Sequence, residues 1–235
     1  MAEEGVLVKV PFKGKEVELD IRRGVNIFYG PNATGKTVLI SAIAERLRKQ
    51  GIETVAHVVG DEVTVGDFKL NINDPKAWKE LTSEPFLIDD DRFRDDLRFL
   101  LHISYLHGGY ALRLYYEPEF KAKWVPITLL SYGGRKALAL LLVARMADLV
   151  VVEAFEGGLH FDLAVELLDA LEDYRKYVLV ETHMGILVTA GLKKGWNVYY
   201  VSRDGIIKLT KDNILETPLF KEEAEALTNL VPPGP

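Results

Sequence analysis

Short apolar runs alternate with longer helical patterns along most of the chain. Residues 25–29 form a mostly apolar run between two glycines, which predicts a buried strand. Apolar residues at helical spacing follow at 38–47, and this pattern ends in a basic turn before Gly51. The sequence therefore predicts a strand that leads into a helix through the segment 30–37.

The same alternation returns in the second half of the chain. The patterns predict helices at residues 131–146, 162–174, 185–194 and 220–230, and strands at residues 148–153, 177–181 and 197–202. Strands and helices that alternate in this way are typical of parallel strands joined by crossover helices. We expect an α/β fold with a mostly parallel sheet flanked by helices, whose ligands bind beyond the carboxyl ends of the strands.

Two segments do not follow this alternation of strands and helices. Residues 7–12 and 16–21 alternate in polarity on either side of a turn that contains Gly14, which predicts an N-terminal antiparallel β-hairpin. From about residue 52 to 127 the pattern changes to short strands, acidic turns and a charged helix near 89–107. We expect one domain over residues 1–235, with an inserted α+β lobe at 60–128.

Composition narrows the class of protein mainly by exclusion. Of the 235 residues, 48% are hydrophobic and 27% are charged, which is typical of a globular chain with a real core. The net charge of −6 disfavours a broad basic surface for nucleic acid. The chain has no Cys, which excludes a disulfide framework and Cys-ligated metals and fits a reducing compartment.

The remaining compositional signals concern location. The chain starts with an acidic segment instead of a basic and apolar leader. Its longest apolar run in a helical pattern is far shorter than the ~20 residues that a bilayer span requires. We therefore expect a cytoplasmic protein without a membrane segment. A single Gln and no Cys resemble the composition of proteins from thermophiles.

The segment between the first buried strand and its helix has the spacing of a phosphate-binding loop. It matches G-x-x-x-x-G-K-S/T at every position. Glycines let backbone N–H groups turn toward phosphate oxygens, and the helix N-terminus adds its positive dipole end. Lys36 should reach the β- and γ-phosphates, and Thr37 should ligate Mg²⁺. The predicted nucleotide-binding residues of this loop are Gly30, Pro31, Asn32, Ala33, Thr34, Gly35, Lys36 and Thr37.

An acidic residue ends the strand predicted at 148–153. An acid in this place is often only a strand end that meets solvent, since carboxylates rarely stay buried without a partner. The phosphate-binding loop upstream favours a metal site instead. Glu153 would then hold Mg²⁺ together with Thr37, directly or through water, because Mg²⁺ keeps several waters and takes few protein carboxylates.

Four segments, in order, resemble the ABC-type ATPase heads of the SMC, RecF and OLD-like group. They are the loop at 30–37, the segment LSYGG at 130–134, the segment EAFEGGLH at 153–160, and Glu181-Thr182-His183. The second is similar to the ABC signature, the third to the Walker B region of archaeal and bacterial members, and the fourth to the switch histidine. The resemblance implies an ABC-ATPase-like P-loop NTPase that binds ATP and Mg²⁺.

The resemblance also implies a homodimer that forms on ATP binding. In that group the surface that corresponds to Ser131 and Gly133 meets the γ-phosphate of the ATP bound to the other subunit. Ser131 is in addition a candidate N-cap, so the start of its helix can bind an anion. The histidine that corresponds to His183 contacts the γ-phosphate in the family.

One position breaks the family pattern. Most hydrolysing members carry Asp-Glu at the end of the Walker B strand, where the second acid polarises the attacking water, but this chain has Glu153-Ala154. The loss of a general base typically slows a reaction by about 10²–10⁴. Glu156 is the first candidate to replace this base, with Glu181 and His183 behind it. The predicted catalytic residues are Lys36, Glu156 and His183.

Three functions stay open at this point. The first is an ABC-type ATPase that closes as a homodimer around ATP and hydrolyses it slowly. The second is a nucleotide-gated binding module without turnover, which Ala154 favours. The third is the ATPase subunit of a DNA-processing complex, which rests on the family resemblance and is disfavoured by the net charge. No Gln occurs between Gln50 and the signature-like segment, which argues against a transporter ATPase. A separate effector protein stays open as a partner.

Overall fold

The computed structural model of the protein describes residues 5–74, 86–88, 101–106, 109–116, 121–126 and 131–230. The strands in these residues are β1 (Val6–Phe12), β2 (Lys15–Ile21), β3 (Gly24–Tyr29), β4 (Val55–Val59), β5 (Glu62–Val65), β6 (Phe68–Asn71), β7 (Phe86–Ile88), β8 (Leu101–Leu106), β9 (Gly109–Tyr116), β10 (Lys121–Pro126), β11 (Leu149–Glu153), β12 (Tyr177–Thr182), β13 (Asn197–Val201) and β14 (Ile206–Lys208). The α-helices there are α1 (Lys36–Lys49), α2 (Tyr132–Met146), α3 (Phe161–Asp173), α4 (Gly185–Lys194) and α5 (Pro218–Leu230). The helices and strands predicted in the second half of the chain are confirmed, with ends that shift by at most two residues.

One large sheet carries the parallel strands. In the described residues its order is β14-β13-β3-β12-β11-β4-β5-β6. The five strands from β13 to β4 are parallel. At the edges the pairs β13–β14, β4–β5 and β5–β6 are antiparallel. The predicted mostly parallel sheet is confirmed. Strand β3, which leads into the phosphate-binding loop, lies between β12 and β13.

Apolar side chains on the two faces of this sheet form two cores. On one face, α1 packs with the hairpin β1–β2 against the strands. On the other face lie α2, α3 and α4, and α2 contributes an uninterrupted buried run at 136–144. Because side chains alternate along a strand, neighbours such as Leu179 and Val180 belong to opposite cores. Among the described helices, none has the length and apolarity needed to cross a membrane.

Strands β1 and β2 form the antiparallel hairpin that the sequence predicts. Its turn residues Lys13 and Gly14 have φ angles of 50° and 77°, and hairpins favour turns with two such positive φ angles. The hairpin is also joined to β13. The hydroxyl of Tyr199 and the side-chain amide of Asn197 both donate to the carbonyl oxygen of Asp20, at 2.7 and 2.8 Å.

A second, antiparallel sheet of order β10-β9-β8-β7 is formed by residues between 86 and 126. The helix predicted near 89–107 is wrong at its end, because residues 101–106 are strand β8, paired with β7 and β9. Their sequence, LHISYL, alternates between apolar and polar residues with a period of two, as is typical of a strand. The charged residues upstream favour a helix, and the predicted helix includes 101–106 only because it continues that charged stretch. Residues 89–100 and residue 107 of that prediction lie outside the described residues. Strands β5 and β6 extend the large sheet instead of this one.

Candidate functional site

The loop between β3 and α1 is shaped by close backbone approaches. A β-carbon at Gly30 would clash with the carbonyl oxygen of Val201, so only glycine fits there. Ala33 and Gly35 have φ angles of 58° and 94°. Gly35 caps α1 without a side-chain hydrogen bond, and the first turn of the helix has no acidic residue. The start of α1 therefore directs the positive end of its dipole at a place where an anion can bind.

Lys36, the first residue of α1, is buried beneath this loop. Its Nζ donates to the carbonyl oxygens of Gly30 at 3.0 Å and Pro31 at 2.8 Å, and it lies 3.6 Å from Oε1 of Glu181. Burial lowers the pKa of Lys36, although the negative charges of Glu181 and Glu156 act in the opposite direction. The loop therefore holds an ammonium group with only 3% of the residue exposed.

Glu181, near the end of β12, joins the two polar residues at the start of α1. Its Oε2 accepts a hydrogen bond from the Thr37 hydroxyl at 2.8 Å, while Oε1 faces Lys36. The alternation of β12 puts Glu181 on the face of Leu179, which is the face that α1 covers. From the sequence, Glu181 is only a second candidate for the base, behind Glu156. Glu181 lies at the carboxyl end of the strand beside β3, where ligands of such sheets bind, and this position could have indicated its central place in the site.

Glu153 lies beside Glu181 at the carboxyl edge of the sheet. The last paired residues of β11 and β12 are Val152 and Val180, and the two glutamates follow them directly. Burial raises the pKa of Glu153, and the charge of Glu181 raises it further. The Thr37 hydroxyl bonds to Glu181 and not to Glu153.

These oxygen atoms fit a magnesium ion. Mg²⁺ prefers hard oxygen ligands and is usually bound by one or two carboxylates together with phosphates and water. A divalent cation here would offset the repulsion between Glu153 and Glu181, which adds to the effect of burial on the pKa of Glu153. Within the described ranges, no group of three or more His, Cys, Asp or Glu side chains could hold a metal ion.

His183 and Glu156 meet on the other side of Lys36. The backbone N–H of His183 donates to Oε1 of Glu156 at 2.9 Å. Nδ1 of the His183 ring is 2.8 Å from the carbonyl oxygen of Gly30. The same Nδ1 is 3.4 Å from Nζ of Lys36, so the tautomer of the ring decides whether Nδ1 donates to the carbonyl oxygen or accepts from the ammonium group. His183 thus connects Glu156 to the phosphate-binding loop.

The second carboxylate oxygen of Glu156 is buried and has no hydrogen-bond partner in the described part of the chain. Two ammonium groups, those of Lys36 and Lys136, lie close enough to interact with this carboxylate electrostatically. Buried polar atoms normally have a partner, so this oxygen is a candidate acceptor for a water or ligand proton. Glu156 is thus anchored through one oxygen, while the other has no partner in the described residues.

Lys136 is a residue of this site that the sequence analysis missed. It lies in α2 with 1% exposure, and its Nζ donates to the carbonyl oxygens of Ala154 at 3.2 Å and Gly157 at 3.0 Å. Burial lowers its pKa, while the charges of Glu156 and Asp61 oppose this change. Ala154 itself has a φ of 44°, in the left-handed region. Lysine is rarely buried without a partner, so its position in an otherwise apolar helical run could have indicated that Lys136 has buried hydrogen-bond partners.

The start of α2 packs against the same segment of the chain. Ser131 caps α2, as predicted, and its Oγ accepts from the N–H of Gly134 at 3.2 Å. A β-carbon at Gly133 would press on the carbonyl oxygen of Gly158, and one at Gly158 would clash with the Tyr132 ring. These contacts of Ser131 and Gly133 do not involve the loop at 30–37, so their role toward a nucleotide stays a prediction.

The structure therefore brings together one part of the predicted site. Lys36, Thr37 and His183 lie around Glu181 at the carboxyl edge of the sheet, and the backbone N–H of His183 joins Glu156 to this group. Among the other loop residues, Thr34 is buried, and its hydroxyl donates to the carbonyl oxygen of Pro31 at 2.9 Å. Pro31, Asn32 and Thr34 also line a groove that continues toward β13.

Comparison with known proteins gives one family. The sequence profile described as "AAA domain, putative AbiEii toxin, Type IV TA system" matches residues 66–187. No curated protein matches the chain.

Solved structures with a related fold include two ATP-binding proteins. A "putative Cobalt transport ATP-binding protein" is 18% identical, with 91% of this chain and 81% of that chain covered and a TM-score of 0.46. An ATP-binding cassette in a dimeric post-hydrolysis state, bound to ADP and Pi, is 14% identical, with 88% of this chain and 97% of that chain covered and a TM-score of 0.45.

Proposed function

The chain belongs to the AAA domain family, and from this premise we propose that it is an ABC-type P-loop ATPase that closes around Mg-ATP as a homodimer and hydrolyses it slowly. One observation carries the proposal. Beneath a glycine loop that matches the phosphate-binding motif, Glu181 joins the ammonium group of Lys36 to the hydroxyl of Thr37. This is the arrangement of charge and oxygen ligands that a nucleoside triphosphate and its metal ion require.

In this proposal the loop binds and orients the phosphates. The uncapped start of α1 and the Lys36 ammonium group meet their negative charge. Thr37, Glu181 and Glu153 would hold the metal ion. When bound, Mg²⁺ would neutralise charge that develops on the β- and γ-phosphate oxygens. The chain itself thus supplies positioning and electrostatic stabilisation, which make up most of the catalysis of phosphoryl transfer.

Glu156 is the proposed general base. The backbone N–H of His183 fixes one carboxylate oxygen, and the second oxygen is free to take a proton from a water that attacks the γ-phosphate. The methyl group of Ala154 cannot take this role. Hydrolysis is expected to be slow because the base comes from a loop that also depends on Lys136 for its position, instead of from the strand end. The contact of His183 with the γ-phosphate is part of the same proposal.

Calorimetry of Mg-ATP binding tests this function. Lys36→Ala should abolish measurable binding, because it removes the charge that meets the β- and γ-phosphates. Lys49→Ala is the matched control, since Lys49 lies on the same helix and is exposed. Thermal unfolding of both variants shows whether they fold. Unchanged affinity in a folded Lys36→Ala protein would refute the proposal.

A nucleotide-gated binding module without turnover is the second candidate. Ala154 favours it, because this exposed residue at the end of β11 carries no group that can accept a proton. A single-turnover assay, with protein in excess over ATP, separates the two candidates. Product formation that Ala154→Glu accelerates supports the ATPase. Dimerisation with ATP and no product, in wild type and Ala154→Glu alike, supports the module.

A further inference from the structure

The turn between β12 and α4 is held by side-chain oxygens at three consecutive positions. The backbone N–H groups of residues 183–185 donate, in chain order, to Oε1 of Glu156 at 2.9 Å, Oγ1 of Thr182 at 3.1 Å and Oε2 of Glu223 at 2.8 Å. Thr182 is a neighbour in the chain, whereas Glu223 belongs to α5, about forty residues further on. The conformation of this turn, which carries the His183 ring, therefore depends on a residue of α5.

Glu223 caps α4 from outside that helix. The N-cap residue Met184 makes no side-chain hydrogen bond to the helix, and the first turn of α4 contains no acidic residue. A carboxylate at a helix start accepts from a free N–H and interacts favourably with the helix dipole. A β-carbon at Gly185 would clash with Oε2 of Glu223 and press on the ring of Phe220. Because Phe220 and Glu223 are one turn apart on α5, both side chains of this pair hold α5 against the start of α4.

The same carboxylate lies near the end of β3, where the chain enters the phosphate-binding loop. Tyr29, the last residue of β3, is fully buried, and its hydroxyl has no hydrogen-bond partner in the described residues. Burial raises the pKa of Tyr29, and the negative charge of Glu223 raises it further. The next residue is Gly30, whose carbonyl oxygen lies 2.8 Å from Nδ1 of His183. Glu223 is therefore close to both segments that meet in this contact of His183 with the loop.

We propose that Glu223 is a positioning residue for the hydrolysis of ATP and that it acts through His183. The inference rests on the proposed function, since it concerns the same reaction. Without Glu223, the N–H of Gly185 loses its acceptor and the turn that carries the His183 ring is free to shift. A displacement of about 1 Å in a reacting group can lower a rate by about 10². Lys36 and the start of α1, which bind the phosphates in the proposed function, belong to other elements, so ATP affinity should change little.

Single-turnover hydrolysis and calorimetry of Mg-ATP binding test the proposal. Glu223→Leu should lower the hydrolysis rate by about tenfold or more and change ATP affinity by less than about twofold. Glu223→Gln should keep most of the rate, because the amide oxygen can still accept from the N–H of Gly185. Glu225→Leu is the matched control, since Glu225 lies exposed on the same helix and loses the same charge, and it should hydrolyse ATP like wild type.

A double-mutant cycle with His183→Ala distinguishes positioning from general stabilisation. His183→Ala should itself slow hydrolysis. On this background Glu223→Leu should lower the rate by no more than about twofold, because the ring through which Glu223 acts is gone. If Glu223 only stabilised the fold, its loss would lower the rate by the same factor with and without the His183 ring.

The outcomes separate this inference from the proposed function. A folded Glu223→Leu protein with the wild-type rate, a Glu223→Gln protein as slow as Glu223→Leu, or equal factors on both backgrounds would overturn the positioning role alone. If thermal unfolding shows that Glu223→Leu does not fold, Gly185→Ala takes its place, because the added methyl group displaces the carboxylate of Glu223 and should lower the rate in the same way. Wild type that binds no Mg-ATP or forms no product would refute the proposed function, and this inference with it.

Discussion

At the scale of single residues, the site is a set of charges that hold one another in place. Lys36 is bound by two carbonyl oxygens and paired with Glu181, and Lys136 is bound by two further carbonyl oxygens. Ammonium groups are costly to bury unless each has such partners. Glu156 differs, since one of its oxygens has no partner in the described residues. Reactivity is therefore expected at Glu156.

Glu156→Gln should lower the rate of ATP hydrolysis by about 10² or more and leave ATP affinity nearly unchanged. The amide oxygen of Gln can still accept from the N–H of His183, so the loop keeps its anchor, but the amide cannot take a proton from water. Single-turnover hydrolysis and calorimetry measure the two quantities.

Glu153→Gln is the contrasting variant. It removes charge from the metal site, so Mg²⁺-dependent ATP binding should weaken together with the rate. If wild type hydrolyses ATP rapidly and Glu156→Gln does not change that rate, another residue is the base, and Glu181 would be the next residue to test.

Lys136→Met should destabilise the protein by about 1–3 kcal/mol at pH 7, because the carbonyl oxygens of Ala154 and Gly157 lose their donor. Burial lowers the pKa of Lys136 in the folded protein, so between that value and the ordinary lysine value the unfolded chain binds more protons. The contribution of Lys136 to the free energy of unfolding therefore rises with pH through that interval.

Urea unfolding of wild type and Lys136→Met as a function of pH checks this sign. The difference in the free energy of unfolding between wild type and Lys136→Met should grow as the pH approaches about 10.4. The difference between wild type and Lys49→Met, at an exposed position, should not change with pH in this way. A Lys136→Met protein as stable as wild type at every pH would show that the two hydrogen bonds contribute nothing.

At the scale of elements, α2 and the segment 154–158 form one packed unit. Gly133 lies against the backbone of Gly158, and the ring of Tyr132 covers Gly158. A similar contact secures the start of α4 after His183, where Glu223 of α5 accepts from the N–H of Gly185 at 2.8 Å. Helix starts thus fix both segments that carry the proposed catalytic residues.

Gly133→Ala should lower the free energy of unfolding by about 1–3 kcal/mol, because the added methyl group presses on the carbonyl oxygen of Gly158 and the segment must shift. Gly205→Ala is the control, since a β-carbon there meets no atom within 4 Å, and its effect should stay within about 0.5 kcal/mol. Denaturant unfolding measures both. Equal stability of the two variants would mean that the contact at Gly158 relaxes without cost.

At the scale of the whole molecule, the proposed function needs a second copy of the chain. The capped start of α2, the anion site that the sequence predicts, makes no contact with the loop at 30–37 of its own chain. The resemblance to ABC-type ATPases implies that this surface meets a nucleotide bound to the partner. A C₂ arrangement would satisfy both copies by the same contact.

Mg-ATP should convert the protein from monomer to dimer, and Ser131→Arg should block this conversion by placing a long side chain at the start of α2. Light scattering with a slowly hydrolysed ATP analogue measures the mass. Gln50→Arg is the matched control, since Gln50 is exposed at the far end of α1 and adds the same charge. A mass that never changes, or a Ser131→Arg protein that still dimerises, would count against the sandwich dimer.

Local patterns in the sequence determined the order of the helices and strands, the hairpin, the mostly parallel sheet and the loop at 30–37. These features follow from periodicity, turn residues and spacing between neighbours in the chain, so a single segment is enough to specify each one. The helix predicted near 89–107 is wrong at 101–106. There a charged stretch is followed by a period-two pattern, and the pairing with β7 and β9 determines that these residues form a strand.

Tertiary structure alone decided which charged residues meet. Glu181 joins Lys36 and Thr37 because β12 lies next to β3 in the sheet, although these residues are far apart in the sequence. Lys136 reaches the carbonyl oxygens of Ala154 and Gly157 because α2 packs beside the end of β11. Strand order and helix packing depend on the whole core, and the partners of buried charges are therefore fixed only when the chain has folded.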